Sequence, residues 1–333
     1  MQTDKIRNVA IIAHVDHGKT TLVDQLFRQC WTFRDNEAVA ERLMDSMDLE
    51  RERGITISAK NGTMHYKDHQ INIVDTPGHA DFGGEVERTL RMADGALLLV
   101  DAQEGPMPQT YFVLKKALAH HLPVVVVINK IDKPAARPRW AVDQVFDLFV
   151  TLDAPHSILD FHVVFASARD GHASLDPAQP GTDMSPVFEA ILKYIPPPMG
   201  SSDAPLQLQV ASIDHSSFLG RLGIGKITAG RVAPNQPVIL ATAAGTMEPG
   251  RITKVYSFDR NRKVECDGAG AGDIVAIAGF EGVLVGDTYT DPLNPQPLPA
   301  LPMDPPTVRM NFLPNNSPFA GRAGPYCTGS HLA

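Results

Sequence analysis

The segment Ala13-His14-Val15-Asp16-His17-Gly18-Lys19-Thr20 constrains this chain more than any other, because of what flanks it. It follows an apolar, β-branched run, Val9 to Ile12, and precedes a helical pattern, Thr21 to Gln29. A strand that turns through glycine and GKT into a helix makes a phosphate cradle: successive backbone N–H groups and the helix N-terminus form a concave anion site. The Lys19 ammonium then reaches the β/γ-phosphates and the Thr20 hydroxyl is a hard oxygen ligand for Mg²⁺. Val15, Asp16, His17, Gly18 and Thr21 complete the phosphate-binding set. The first position of the loop is Ala13, where the general pattern has glycine. His14 and His17 also read as a metal pair, but their place inside the loop argues against it.

Such a loop predicts an α/β fold, and the rest of the first half agrees. From Asn8 to about Tyr194, runs such as INIVD, GALLLVD, PVVVVINK and FHVVFAS alternate with helical patterns. That alternation predicts a doubly wound, mainly parallel sheet whose chemistry lies at the strands' carboxyl ends. Runs as apolar as Val124 to Ile128 suit a sheet buried on both faces. A Pro/Gly/Ser-rich stretch, Ile195 to Ser202, resists helix and ladder alike and predicts a boundary, giving a nucleotide-binding domain over 1–197. Leu206 to Asp291 is dense in glycine and β-branched residues, with turn signals at Gly220, Gly230, Gly245, Gly250, Gly270 and Gly286, and predicts a β-barrel over 205–291. A second proline-rich linker leads to 306–333, which reads as the truncated start of a third domain.

Three further loops carry chemistry. Asp75-Thr76-Pro77-Gly78-His79 follows the strand Ile71 to Val74; Asp75 is placed to hold Mg²⁺ through water and the Gly78 amide to approach a γ-phosphate. His79 is the candidate for orienting the attacking water, against the plain alternative of a satisfied surface histidine. Between the first two loops, Asp48 to Ile57 sets Thr56 beside a glycine hinge as a second hydroxyl on Mg²⁺; an exposed helix end with alternating charges reads equally well. Asn129-Lys130-Ile131-Asp132 ends the strand Pro123 to Ile128 where a base would lie. A carboxylate at Asp132 accepts from both guanine N1–H and the exocyclic amine, which adenine does not offer as a pair. Asn129 braces the loop and the stem of Lys130 covers the base. After the strand Phe161 to Phe165, Ser167-Ala168-Arg169 brings the Ala168 N–H to guanine O6. The ligands are thus GTP or GDP with Mg²⁺.

Composition limits the partners. At 333 residues the chain has room for two or three domains. Its net charge of −8 excludes coating nucleic acid by bulk attraction. A local basic cluster, Arg251, Lys254, Arg260, Arg262 and Lys263 with Tyr256 and Phe258, stands equally as an RNA-facing patch or a solvated hairpin face. Three cysteines without CxxC spacing suggest neither disulfides nor zinc. No apolar run suits a bilayer and the N-terminus enters a strand at once, so a soluble, cytoplasmic protein is expected.

In order, AHVDHGKTT, RGITI, DTPGH, NKID and SA resemble the translational GTPases, elongation factors Tu and G included, over essentially the whole chain. The resemblance implies GTP hydrolysis with roles for Lys19, Thr20, Thr56, Asp75, His79, Asn129 and Asp132, and an apolar gate of Val15 and Ile55. The interval from Asp132 to Ser167 is too short for the extra subdomain of elongation factor G. MDSMDLERERGITI, HADFGGEVER, EGPMPQT, WAVDQVFDLFVTLDAP and NNSPFAGRAG resemble the BipA/TypA ribosome-associated GTPases more than LepA. That family implies a monomer acting on the ribosome (70S or its subunits) and rRNA, with tRNA as a further partner and no membrane. It also implies roles in large-subunit assembly and in translation under stress or cold. No arginine finger is evident, so unaided hydrolysis should be slow and the ribosome its trigger. The rival readings are a LepA-like or elongation-factor-like GTPase, a GTP-gated binding module without turnover, and an ATP-dependent enzyme sharing only the phosphate loop.

Overall fold

The computed structural model describes residues 3–30, 60–77, 83–179, 181–216, 218–299, 311, 313 and 314. The first module runs β1 (Ile6–Ala13), α1 (Lys19–Cys30), β2 (Lys60–Tyr66), β3 (His69–Asp75), α2 (Gly83–Leu90), β4 (Gly95–Asp101), α3 (Pro108–Ala119), β5 (Val124–Asn129), α4 (Pro138–Thr151), α5 (His156–Leu159), β6 (His162–Ser167), β7 (His172–Ser174) and α6 (Ser185–Tyr194). Its sheet has the order β2-β3-β1-β4-β5-β6-β7. The five central strands are parallel, while β2 and β7 pair antiparallel at the edges.

The sheet is buried on both faces, and the two-residue period of a strand sorts its side chains. Val9, Ile11, Leu97, Leu99, Val125 and Val127 pack with Leu22, Leu26 and Phe27 of α1 and Phe188 and Ile191 of α6. Ala10, Ile12, Leu98, Val100, Val126 and Ile128 face the other way, onto Val86 and Leu90 of α2, Val113 and Leu114 of α3 and Val145 and Phe149 of α4.

The edge strand β2 has no apolar run to announce it. It is held by a polar chain: Thr63 Oγ1 donates to Asn72 Oδ1 at 2.8 Å, and Asn72 Nδ2 donates to Asn8 Oδ1 at 2.7 Å. All three residues are buried, so each hydrogen bond replaces one to water.

The second module is antiparallel and barrel-like. It comprises β8 (Gln207–Gln209), β9 (Ser212–Ser216), β10 (Gly220–Ala229), β11 (Arg231–Val232), β12 (Pro237–Ala241), β13 (Met247–Arg251), β14 (Lys254–Asp259), β15 (Arg262–Glu265), β16 (Ala269–Gly270), β17 (Ile274–Ala278) and β18 (Thr288–Thr290). The main sheet runs β13-β12-β18-β8-β10-β17-β14-β15 with β9 on β10, and β11 pairs β16. Leu208, Ile227, Leu240, Val255, Val275, Ile277 and Tyr289 fill it. Gly220, Gly250 and Gly270, expected in turns, lie within β10, β13 and β16, Gly220 as the first residue of its strand. At Gly250 the reason is close approach, since a Cβ there would fall 2.4 Å from Cζ of Phe280.

The modules pack together through β1, β2, β3 and the turn after α2. Val74 and Met92 join Leu222, Ile224, Ile274 and Ala276 in one apolar cluster. Asn8 Nδ2 donates to the Gly272 carbonyl at 2.9 Å, and Lys226 pairs with Asp94 at 2.9 Å. The backbones of Thr63 and Arg260 exchange hydrogen bonds of 2.9 and 3.0 Å. The proline-rich stretch after α6 forms neither helix nor strand, and Ile195 within it is 1% exposed, packed over Gly95. The expected start of a third domain falls almost wholly outside the described residues.

Candidate functional site

Register decides what the strand ends bring together. Ile11 pairs with Asp75 across β1 and β3, Asp101 with Asn129 across β4 and β5, and Asn129 with Ala166 across β5 and β6. The loops after β1, β3, β4, β5 and β6 therefore emerge side by side at the sheet's carboxyl edge.

The loop after β1 has the backbone of an anion cradle. Asp16 and Gly18 take φ of +64° and +93°, in the left-handed region where glycine is favoured and a side chain is strained. A Cβ on Gly18 would also fall 2.5 Å from Nδ2 of Asn129, so the position is closed to other residues by conformation and space together. The Val15 N–H donates to Oε1 of Gln109 at 3.2 Å. Thr20 is half-buried and Thr21 exposed at the start of α1.

Lys19, at the first turn of α1, donates to the Thr76 carbonyl and lies 3.0 Å from Asp75 Oδ1. That oxygen is buried, and the Lys19 ammonium is its ion-pair partner. A buried carboxylate at the end of β3 and a threonine hydroxyl at the start of α1 are hard-oxygen donors of the kind that Mg²⁺ takes. Thr76 Oγ1 donates to the Ile11 carbonyl at 2.7 Å and ties this loop to β1. Thr56, Gly78, His79 and Ile55 lie outside the described residues.

Asn129 is 1% exposed and bridges two loops. Its Nδ2 donates to the His17 carbonyl at 2.9 Å, and its Oδ1 accepts from the Ala168 N–H at 3.0 Å. A base oxygen reaching the Ala168 N–H would have to share it with Asn129. Lys130, held at φ +63°, sends its ammonium across to the Asp16 carbonyl and to Asp101 Oδ2 at 2.9 Å. Ile131 is half-buried against the core beneath α3 and α4. Asp132 is exposed, and Ser167 Oγ lies 2.9 Å from Asp132 Oδ1 and 2.8 Å from Asp170 Oδ2. A hydroxyl has one proton, so Ser167 donates to one of these carboxylates at a time. Arg169 is exposed.

Two buried groups complete the site: Asp101, which the motifs do not single out, and His17 of the phosphate loop. Asp101, at the end of β4, is fully buried. Burial would raise its pKa, but Lys130, the Gln103 N–H at 2.7 Å and Lys133 at 3.0 Å outweigh it and hold the carboxyl at about 2. The signal was an acid ending the apolar run GALLLVD; what it lacked was a partner, since Lys130 and Lys133 meet it only through strand register.

His17 is also buried, and burial first, with His14 next, lowers its pKa to about 4. It is neutral at pH 7. Its Nδ1 lies 3.4 Å from the Asp101 N–H and 3.5 Å from the Leu99 carbonyl oxygen, and its Nε2 lies 3.6 Å from Glu104 Oε2. Among the described residues, no group of three or more His, Cys, Asp or Glu is arranged to hold a metal.

A stability test follows from Asp101. Its folded pKa lies below the unfolded value of roughly 3.9, so its contribution is present above pH 4 and is lost as pH falls through 2. The full contribution is about 2–3 kcal/mol, with roughly half gone by pH 3. Urea unfolding should show the gap between the parent and Asp101→Asn narrowing by about 1 kcal/mol between pH 5 and pH 3. A constant gap would mean the lysines do not hold the charge.

The basic cluster of the barrel is mostly engaged within the chain. Lys254 pairs with Glu265 at 2.7 Å, Lys263 with Asp214, and Arg251 Nη1 donates to the Asn235 carbonyl at 2.9 Å.

A doubly wound sheet with this cradle, a buried asparagine brace and a carboxylate at the base loop defines a P-loop nucleotide-binding protein. Residues 4–197 match the family described as elongation factor Tu GTP binding domain, and residues 220–290 match elongation factor Tu domain 2. The chain belongs to this family of translational GTPases.

Among curated relatives, it is 55% identical over 327 residues to the large ribosomal subunit assembly factor BipA of Bacillus subtilis, covering 98% of this chain and 53% of that protein. It is 52% identical over 329 residues to the factor of the same name from Escherichia coli K12, covering 99% and 54%. The Haemophilus influenzae factor is 53% identical over 329 residues, covering 98% and 53%. The chain thus spans about half the length of the curated relatives it matches.

Proposed function

We propose that this chain binds GTP with Mg²⁺ at the carboxyl edge of the sheet, hydrolyses it to GDP and phosphate, and supplies the nucleotide-driven part of a BipA-like factor acting in large ribosomal subunit assembly. The observation that carries the nucleotide reading is Asn129, whose one side chain ties the phosphate loop at His17 to the base loop at Ala168. Lys19 and the backbone N–H groups of the phosphate loop and the start of α1 hold the phosphates, and Asp132, set by Ser167, reads guanine. Thr20 and Asp75, with Thr56, are the residues that would hold Mg²⁺, which when bound neutralises charge on the β- and γ-oxygens.

His79 orients the attacking water, and Gly78 senses the γ-phosphate. Val15 and Ile55 form the apolar gate beside His79. The protein's contribution is positioning and charge stabilisation. The setting is the cytoplasm, with the ribosome and rRNA as partners, tRNA as a further contact, and the protein as a monomer. Among the described residues, no helix is long and apolar enough to cross a membrane.

The relatives named for ribosomal assembly support the ribosome as trigger. The test is GTP turnover with and without purified ribosomes, for this chain and for His79→Ala. The expected result is ribosome-stimulated turnover that falls by about 10²-fold or more in the variant while GDP affinity is kept. Full stimulated turnover in His79→Ala would remove His79 from the mechanism. Tight GDP binding without any stimulation would place the ribosome-docking determinants outside this chain.

A further inference from the structure

Where α2 ends against the barrel, a cavity of about 420 Å³ opens, well away from the phosphate loop. Its polar lining is cationic: Arg88, Arg91 and His120 from the first module, and Lys226 with Gln209 and Thr228 from the barrel. Among the described residues, no aspartate or glutamate lines it.

The nearby acids are already engaged, Asp94 with Lys226 at 2.9 Å and Asn8 at 2.7 Å, and Glu87 with Lys116 at 2.8 Å. Arg88 and Arg91 are half-buried, and the buried Nε of each has no hydrogen-bond partner among the described residues. Two buried guanidinium Nε–H groups without an acceptor among the described residues are costly to hold, and an anion placed between the arginines lowers that cost. Guanidinium forks match the paired oxygens of phosphate, and the cavity volume is that of a small-molecule site, roughly 300–1,000 Å³.

We propose that this cavity is a second anion site, separate from the nucleotide site, that takes the phosphate group of a small phosphorylated molecule between Arg88 and Arg91. Its lining also includes Leu298 and Pro299, so the ligand would touch the first module, the barrel and the segment after β18 at once. Because it contacts both modules, it stabilises their packed arrangement over any separated one. The site does not depend on the GTPase reading.

His120 reports on it directly. Its pKa is lowered by burial first and then by Arg91, with Lys116 and His121 acting in the same direction and Glu87 opposing. An anion beside Arg91 offsets these cations and raises it.

The experiment is an NMR pH titration of the histidines of GDP-saturated protein with and without inorganic phosphate, at ionic strength matched with chloride. Phosphate should raise the His120 pKa by about half a unit, and should do so equally in Lys19→Ala, whose phosphate loop is impaired. The rise should vanish in the Arg88→Gln/Arg91→Gln double variant and weaken in Arg91→Lys, which keeps the charge but not the fork.

A short oligoribonucleotide should leave His120 unmoved. The proposal is overturned if chloride matches phosphate, if the rise survives in both arginine variants, or if it disappears in Lys19→Ala. It is also overturned if the oligoribonucleotide moves His120 while phosphate does not, which would assign the cavity to a polymer backbone.

Discussion

Asn129→Ala should cost about 2–4 kcal/mol of folding stability and weaken guanine-nucleotide binding by at least about 100-fold. Both effects come from one side chain. The substitution removes the Nδ2 donor from the His17 carbonyl and leaves the buried Ala168 N–H without its acceptor. An unsatisfied buried donor costs roughly 1–3 kcal/mol beyond the hydrogen bond itself. The phosphate loop and the base loop also lose their common anchor, so a nucleotide that must engage both has to organise them on binding.

Asn129→Asp separates the two bonds. It keeps an acceptor for Ala168 but turns a carboxylate oxygen toward the His17 carbonyl, and should impair binding nearly as much as alanine. Urea unfolding and GDP titration measure the two effects. Nucleotide affinity within threefold of the parent, with stability reduced, would confine Asn129 to folding.

The second large effect is on selectivity. Asp132→Asn should lower GDP affinity by about 10³-fold, because a site that accepts from two donors of the base now presents one of them with an N–H. Xanthine has a carbonyl where guanine has the exocyclic amine, so the asparagine can accept from N1–H and donate to that oxygen. XDP should therefore bind the variant better than GDP does.

Competition of labelled GDP against XDP and ADP reads this out. Unchanged GDP affinity would mean that Asp132, although within reach of Ser167 at 2.9 Å, does not face the base. A preference for ADP in the parent chain would overturn the guanine reading altogether.

Much of this architecture was legible because its signals are local. The runs GALLLVD and VVVVIN become β4 and β5, in which every residue is buried, since a strand covered on both faces is apolar up to the Asp101 and Asn129 that end these two at the site. The loop sequences also show their chemistry locally, through residue type and their place after a strand.

Other features left no such trace. β2, KNGTMHY, carries asparagine, glycine, threonine and histidine, and becomes a strand only because Asn72 and Asn8 lie beside Thr63 to satisfy it. Three of the glycines read as turns belong to strands because the barrel packs a neighbour too close for a side chain or extends its ladder through them.

The sequence by itself determined the class of fold, the order of the nucleotide loops and the residue types placed in them, because a P-loop, a guanine-reading carboxylate and apolar strands are each written within about ten consecutive residues. Only the tertiary structure decided how those loops are coupled. Asp101 gains its charge partners from Lys130 and Lys133, 29 and 32 residues further on, through the pairing of β4 with β5. Asn8 reaches Gly272 across 264 residues, and Arg88 and Arg91 face Lys226 only because the barrel docks there. These contacts depend on register and on the packing of one module against the other, and neither is encoded in the periodicity of any single segment.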